Sequence, residues 1–279
     1  MPMELNNLAS FDIGQILECG QCFRFAKLED NHYKIIAYGS TLTIKQEGDT
    51  VRLSCSPEEF RSVWHSYFDL DRDYCGIKTL IAHNDPIMAE AIAHAPGIRI
   101  LKQDFWEMVV SFIVSQNNRI PMIKKVIENI CERYGSPIEG GFAFPSAQQI
   151  SGASVADLME LKTGFRAKYI KDAVDKRLLG QLNEEHLRSL GTNDVKTVLT
   201  AVHGIGDKVA HCILLTGLNR MDVFPTDVWI RRIISHLYFD GADVSLKTIQ
   251  DFAHDKWGEN TGIAQQYLFH YARLNKIGT

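Results

Sequence analysis

The stretch "AVHGIGDKVAHCILL" (residues 201–215) places a lysine where a cation is electrostatically disfavoured. The glycines read as a tight turn and "KVAHCILL" as a helix, so Lys208 falls in the first helical turn, at the positive end of the helix dipole. A free lysine has a pKa near 10.4, which leaves roughly one amine in a few thousand neutral at pH 7. Burial and a helix N-terminus both penalise the ammonium, and a drop of about three units would leave nearly half the amines nucleophilic. Lys208 is thus expected to have a depressed pKa and to attack an electrophilic carbon. The plainer reading is a solvated lysine paired with Asp207. A second candidate is Asp227 in "FPTDVWIRRII", at a helix start. A carboxylate there could stabilise an oxocarbenium-like sugar as a base departs, although capping alone would also account for it.

The elements that must position these two groups are helical. "NDVKTVLTAV" and "KVAHCILLTGL" are two helices joined by "HGIGD", which predicts a helix-hairpin-helix. Spacing alone fits an ordinary helix–helix turn equally well as a hairpin gripping a DNA phosphate through backbone N–H groups, with Gly204, Gly206 and Val209 in contact. Such a grip needs no basic surface. That eases the objection raised by a net charge of −4, which is unlike the usual basic footprint of a nucleic-acid binder.

Around the hairpin the chain reads as α+β. "HYKIIAYGSTLTIKQEGDTVRLSC" is an antiparallel meander, forming a small N-terminal sheet domain with flanking helices (1–85). A larger, all-helical body follows (86–279). Ser56 and Pro57 open the first helical texture, in the flanking part of the N-terminal domain. In the body, "DFWEMVVSFIVSQ" is apolar all round, and "RIPMIKKVIENICERYG" carries a stripe of Ile123, Val126, Ile127, Ile130 and Cys131 ending at Gly135. With 279 residues, 45% of them hydrophobic, a sizeable core is expected. No run approaches a membrane span, no secretory signal opens the chain, and six scattered cysteines suit a reducing, cytoplasmic interior.

Other motifs fail on spacing. "CGQC" (Cys19 to Cys22) lacks a second cysteine pair. "DLDRDY" lacks the glycine and glutamate of a calcium loop. "GIGDK" is no P-loop, and no cysteine cluster could hold an iron–sulfur centre.

Lysine in Gly-x-Gly-x-Lys, followed by an aspartate after Pro-Thr, resembles the helix-hairpin-helix DNA glycosylases with lyase activity. "GQCFRF", "SFIVSQNNRI", "FPSAQQISG", "GFRAKYI" and "GIAQQYLF" extend the resemblance, in order along almost the whole chain, to the 8-oxoguanine DNA glycosylase/lyases. It implies that Lys208 is a Schiff-base nucleophile and Asp227 its electrostatic partner. The Gly20 carbonyl would accept the N7 hydrogen of 8-oxoguanine, Gln265 would read the Watson–Crick edge, and Cys212 and Phe269 would sandwich the base. Lys208 and Cys212, like Gln265 and Phe269, are four apart and share a helix face. Asn117 would fill the gap left by the flipped nucleotide, Phe165 would wedge beside the orphaned base, and Arg166 would help hold that base. Met122 stands where animal and fungal members have an arginine, and Trp229 where relatives carry a phosphate-binding histidine. Methionine cannot donate hydrogen bonds to cytosine, so weak discrimination of the opposite base is expected. No cofactor or catalytic metal is implied, although relatives can hold a cation on hairpin carbonyls, here those of Thr200, Val202 and Ile205. The implied partner is double-stranded DNA containing 8-oxoguanine, bound by a monomer with no membrane association. The competing readings are a monofunctional glycosylase for alkylated bases, which would not need Lys208, and a non-catalytic DNA-binding module, which would not need Asp227, Gln265 or Phe269.

Overall fold

In the segment 32–53, every second side chain is apolar and turned inward: Tyr33, Ile35 and Ala37, then Leu42 and Ile44, then Val51 and Leu53. That period of two builds half-buried antiparallel strands. The computed structural model, which describes residues 3–277, shows five of them in one sheet; a second, two-stranded pair, Pro137–Ile138 with Gly141–Phe142, corrects the expectation that the body is all-helical, each strand being only two residues long. The five are β1 (Met3–Asn6), β2 (Phe25–Glu29), β3 (His32–Ala37), β4 (Ser40–Glu47) and β5 (Thr50–Leu53), in the order β1-β5-β4-β3-β2 with every neighbour antiparallel. β1 and β2 lie outside the expected meander. β1 alternates partly buried Met3 and Leu5 with exposed Glu4 and Asn6 over only four residues, and β2 leaves most of its residues exposed, so neither shows an apolar run.

The inner face of the sheet packs on α1 (Ile13–Glu18) and on Phe60, Trp64, Tyr67 and Phe68 in one apolar cluster. Ser56 caps the latter segment and Pro57 opens it, as expected. Its helix is irregular, however, with a wider π-turn over Phe60–Trp64.

The helical body is organised by α2 (Phe105–Ser115), buried at every position from Phe105 to Val114. A helix with no solvent face has to sit at the centre of a bundle. Around it lie α3 (Ile120–Tyr134), which buries the anticipated stripe and ends at Gly135, then α4 (Ala167–Leu178), α5 (Thr192–Thr200), α6 (Asp207–Gly217), α7 (Val228–Tyr238), α8 (Leu246–Trp257) and α9 (Thr261–Leu274). The aspartates of "DLDRDY" serve the fold. Asp69 is buried between Arg72 at 2.5 Å and Lys102 at 2.8 Å, while Asp73 caps the helix Tyr74–Ile81. Among the described residues no helix is long and apolar enough to cross a membrane.

Candidate active site

α5 and α6 meet at the Gly204–Gly206 turn, so the two helices and their connection do form a hairpin. Gly206 occupies the N-cap of α6 and supplies no side-chain acceptor. The first intrahelical donor is Ala210 N–H, to Gly206 O at 2.9 Å. The N–H groups of Asp207, Lys208 and Val209 therefore precede the helical ladder, an arrangement suited to an anion. Val209 itself is buried, so only its backbone could contribute. Val202 O accepts the Ile205 N–H at 3.0 Å, and the described residues hold no cluster of three His, Cys, Asp or Glu side chains. A hairpin cation would depend on carbonyls alone.

Asp207 does not pair with Lys208. It turns to Lys196 on α5, at 3.1 Å. Lys208 instead lines a cavity of about 80 Å³ among α2, α6, the start of α7, α9 and the 20–21 turn. Gly20, Lys208, Cys212, Asp227, Gln265 and Phe269 all border it. The four-residue spacing on α6 and α9 explains how helices from distant parts of the chain each deliver two groups.

The expectation of a depressed Lys208 pKa is corrected. Cys212 is the main cause: the charge interaction with its sulfur, and to a lesser degree a hydrogen bond from the amine, push the ammonium above the ordinary lysine value. Asp227 acts in the same direction, and together they outweigh the desolvation that burial imposes. Burial in turn raises the Cys212 thiol, with Lys208 pulling the other way. The dipole argument at the sequence level omitted these neighbours.

Asp227 caps α7 as anticipated, accepting the Ile230 N–H at 2.8 Å. Its approach is shaped by Thr226, whose hydroxyl donates to Phe224 O at 2.9 Å. Gly20 has φ +95°, and a Cβ there would lie 3.3 Å from the Phe269 ring. The turn is anchored by Gln21, fully buried, whose side chain donates to Arg99 O at 2.7 Å and accepts Leu101 N–H at 2.8 Å. Gln266 donates to Cys19 O at 2.9 Å, tying α9 to the same turn. Gln265 is only 6% exposed, and its amide has no hydrogen-bond partner among the described residues. Trp229 packs edge-on against Phe269, with centroids 5.0 Å apart, and so braces the cavity wall. Cys19 and Cys22 are buried free thiols, Cys19 pushed up to about 11 by desolvation, which leaves no reactive pair in "CGQC".

Sequence reasoning missed Phe112, Gln21, Thr216, Pro225 and Gln266 in the cavity wall. Thr216 follows Cys212 by another four residues and was recoverable from the same helical row. Phe112, whose ring centroid is 6.0 Å from Lys208 Nζ, looked like one more core aromatic in a uniformly apolar helix.

The remaining candidates lie at an outer edge. Asn117 is exposed with φ +47°, just past α2, and Phe165 is 49% exposed. Met122 is 46% exposed. Arg166 departs from expectation. It is 8% exposed and donates to Gln116 O at 2.8 Å, Asn117 O at 2.9 Å and Thr163 O at 3.2 Å. Its guanidinium holds the backbone that presents Asn117, and its donors are already engaged. A larger groove of about 450 Å³ between β2–β3 and α3 contains none of the selected residues.

The profile of the 8-oxoguanine DNA glycosylase N-terminal domain matches residues 4–109, and that of the HhH-GPD superfamily of base excision DNA repair proteins matches residues 110–258. A probable N-glycosylase/DNA lyase of Methanothermobacter thermautotrophicus is 29% identical over 75% of this chain and 74% of its own. The N-glycosylase/DNA lyase of Saccharomyces cerevisiae is 32% identical over 62% of this chain and 56% of its own. The Clostridium acetobutylicum 8-oxoguanine glycosylase/lyase, solved with double-stranded DNA carrying cytosine opposite the lesion, superposes with a TM-score of 0.93. It is 41% identical and covers 99% of both chains. The chain therefore belongs to the HhH-GPD superfamily of base excision DNA repair proteins, in the branch that carries the 8-oxoguanine DNA glycosylase N-terminal domain.

Proposed function

We propose that this protein is a bifunctional DNA glycosylase and lyase that excises 8-oxoguanine from duplex DNA. The observation that carries the reading is convergence. An amine, a capping carboxylate, an unpaired buried amide and an aromatic face border one small cavity beside the open start of α6. A base inside a duplex stack cannot reach such a cavity, so the nucleotide is extruded into it. Gln265 reads the Watson–Crick edge, Cys212 and Phe269 flank the ring, and Gly20 approaches closely enough for its carbonyl to meet the N7 hydrogen.

The chemistry follows from the pair at the cavity floor. Lys208 releases a proton to solvent, its nitrogen lone pair bonds to C1′ as the C1′–N9 bond breaks, and the base departs with that electron pair and takes a proton from the newly bonded nitrogen. Asp227 stabilises the positive charge that develops on the sugar. The nitrogen lone pair then opens the sugar: C=N forms as the C1′–O4′ bond breaks and O4′ takes up a proton, and the resulting imine acidifies C2′. Loss of a proton there expels the 3′ phosphate by β-elimination and cuts the strand. Asn117 fills the space left in the stack, Phe165 wedges beside it, and Arg166 acts as a positioning residue through the Gln116 and Asn117 carbonyls. The exposed Met122 offers no donor to the partner base, so opposite-base preference is relaxed.

The test uses duplexes that differ in one atom set, guanine or 8-oxoguanine opposite cytosine. The expected products from the oxidised duplex alone are free 8-oxoguanine and a strand ending in an unsaturated aldehyde. Base release with an intact abasic strand would remove the lyase assignment, and no release would remove the function.

A further inference from the structure

The roles above do not explain how closely α4 is built against the hairpin. Tyr169 and Asp172 are three residues apart, hence on one face of α4, and both reach the 203–204 turn. Asp172 accepts the His203 N–H at 2.7 Å, and Lys176, one turn further along, holds the same carboxylate at 2.6 Å. The Tyr169 ring meets the His203 ring edge-on at 4.8 Å. It also covers Gly204 so tightly that a Cβ there would lie 2.4 Å from the ring. Four residues earlier, Phe165 meets the same Tyr169 ring edge-on, with centroids 5.8 Å apart. The Tyr169 hydroxyl has no hydrogen-bond partner among the described residues, so the ring supplies the contact.

We propose that Tyr169 and Asp172 are positioning residues that lock the hairpin turn to Phe165, so that the phosphate grip and the wedge move as one rigid piece. Extruding a base costs a few kcal/mol of unstacking, and a wedge delivers that push only while the backbone is pinned at a fixed offset from it. A turn free to slide relative to α4 would let the duplex recoil instead of opening. The inference rests on the reading of Phe165 as wedge and of the hairpin as phosphate site.

The experiment is a double-mutant cycle on single-turnover excision from 8-oxoguanine:cytosine duplexes, run first on the wild type. An inactive wild type would overturn the functional reading itself, and this inference with it. With an active wild type, Phe165→Ala is expected to slow excision about tenfold, but less than about threefold further once Asp172→Ala is present, because direct coupling makes such effects non-additive. Asp172→Asn retains an acceptor for His203 N–H and should preserve the full Phe165 effect. Tyr169→Phe should match the wild type, and Tyr169→Ala should behave like Asp172→Ala. Borohydride trapping on a saturating, preformed abasic duplex, where no base has to be extruded, should stay within about threefold of wild type in the Asp172 and Tyr169 variants, because the reacting amine is untouched. Should Tyr169→Ala fail to fold, Tyr169→Leu and the Asp172 pair carry the test. Fully additive effects, or trapping that falls in parallel with excision, would overturn the proposal.

Discussion

The cavity and the edge beside it are built by different means. The cavity takes its walls from buried faces of α2, α6 and α9, where a four-residue repeat sets which side chains meet. The edge stands on turns. Asn117 and Gly204 have left-handed backbones at φ +47° and φ +86°, and each is held from α4 or the turn preceding it, by Arg166 or by Tyr169. On the proposed function, helical faces place the reacting groups, while turns pinned by neighbouring side chains present the surface that meets the duplex. The proposed function thus gives chemistry and mechanical work on DNA to separate regions, and damage to one should leave a signature unlike damage to the other.

The largest separation is expected from Lys208→Gln, which removes the proposed nucleophile and leaves the edge intact. Excision should fall by roughly a thousandfold or more while duplex affinity changes by less than about threefold. Single-turnover rates and fluorescence anisotropy measure the two. A parallel loss of binding would erase the distinction. Gly204→Ala attacks the opposite side. It forces a Cβ into the Tyr169 ring and a strained backbone, so binding should weaken roughly tenfold while trapping at saturating abasic DNA changes little.

A smaller effect sharpens the electrostatics of the cavity. Cys212 and Asp227 favour the ammonium of Lys208, so its neutral form emerges only as pH rises towards that raised value. Cys212→Ala should lower the pKa, moving the rising limb of the lyase pH–rate profile to lower pH. An unmoved limb would show that Cys212 does not hold the proton. The smallest effect concerns the edge. Excision opposite adenine should lie within about tenfold of excision opposite cytosine, and Met122→Arg should widen the gap by restoring a donor. A native preference of several hundredfold would contradict that reading of Met122.

What could be read in the sequence follows the same division. The stripe on α3, the alternation of β3 to β5 and the helical pairs on α6 and α9 repeat at fixed periods, so pattern alone exposes them. α1 is six residues long and β1 four, too short for a period to stand out. The Asp227 cap was legible because capping is local. The Lys208 charge state was not, because Cys212 acts across a full helical turn, in a cavity that the sequence does not display. Arg166 shows the limit most clearly. It is a basic residue beside a wedge, and only the fold reveals that its donors are committed to the 116–117 carbonyls. Trp229, likewise, is placed by its contact with Phe269 rather than by any motif.

The most direct measurement is to reduce the reaction on an 8-oxoguanine duplex with borohydride, digest the covalent product and locate the modified residue by mass spectrometry. The account predicts a deoxyribose remnant on Lys208 and on no other side chain. Release of 8-oxoguanine with an adduct elsewhere, or with none, would contradict it.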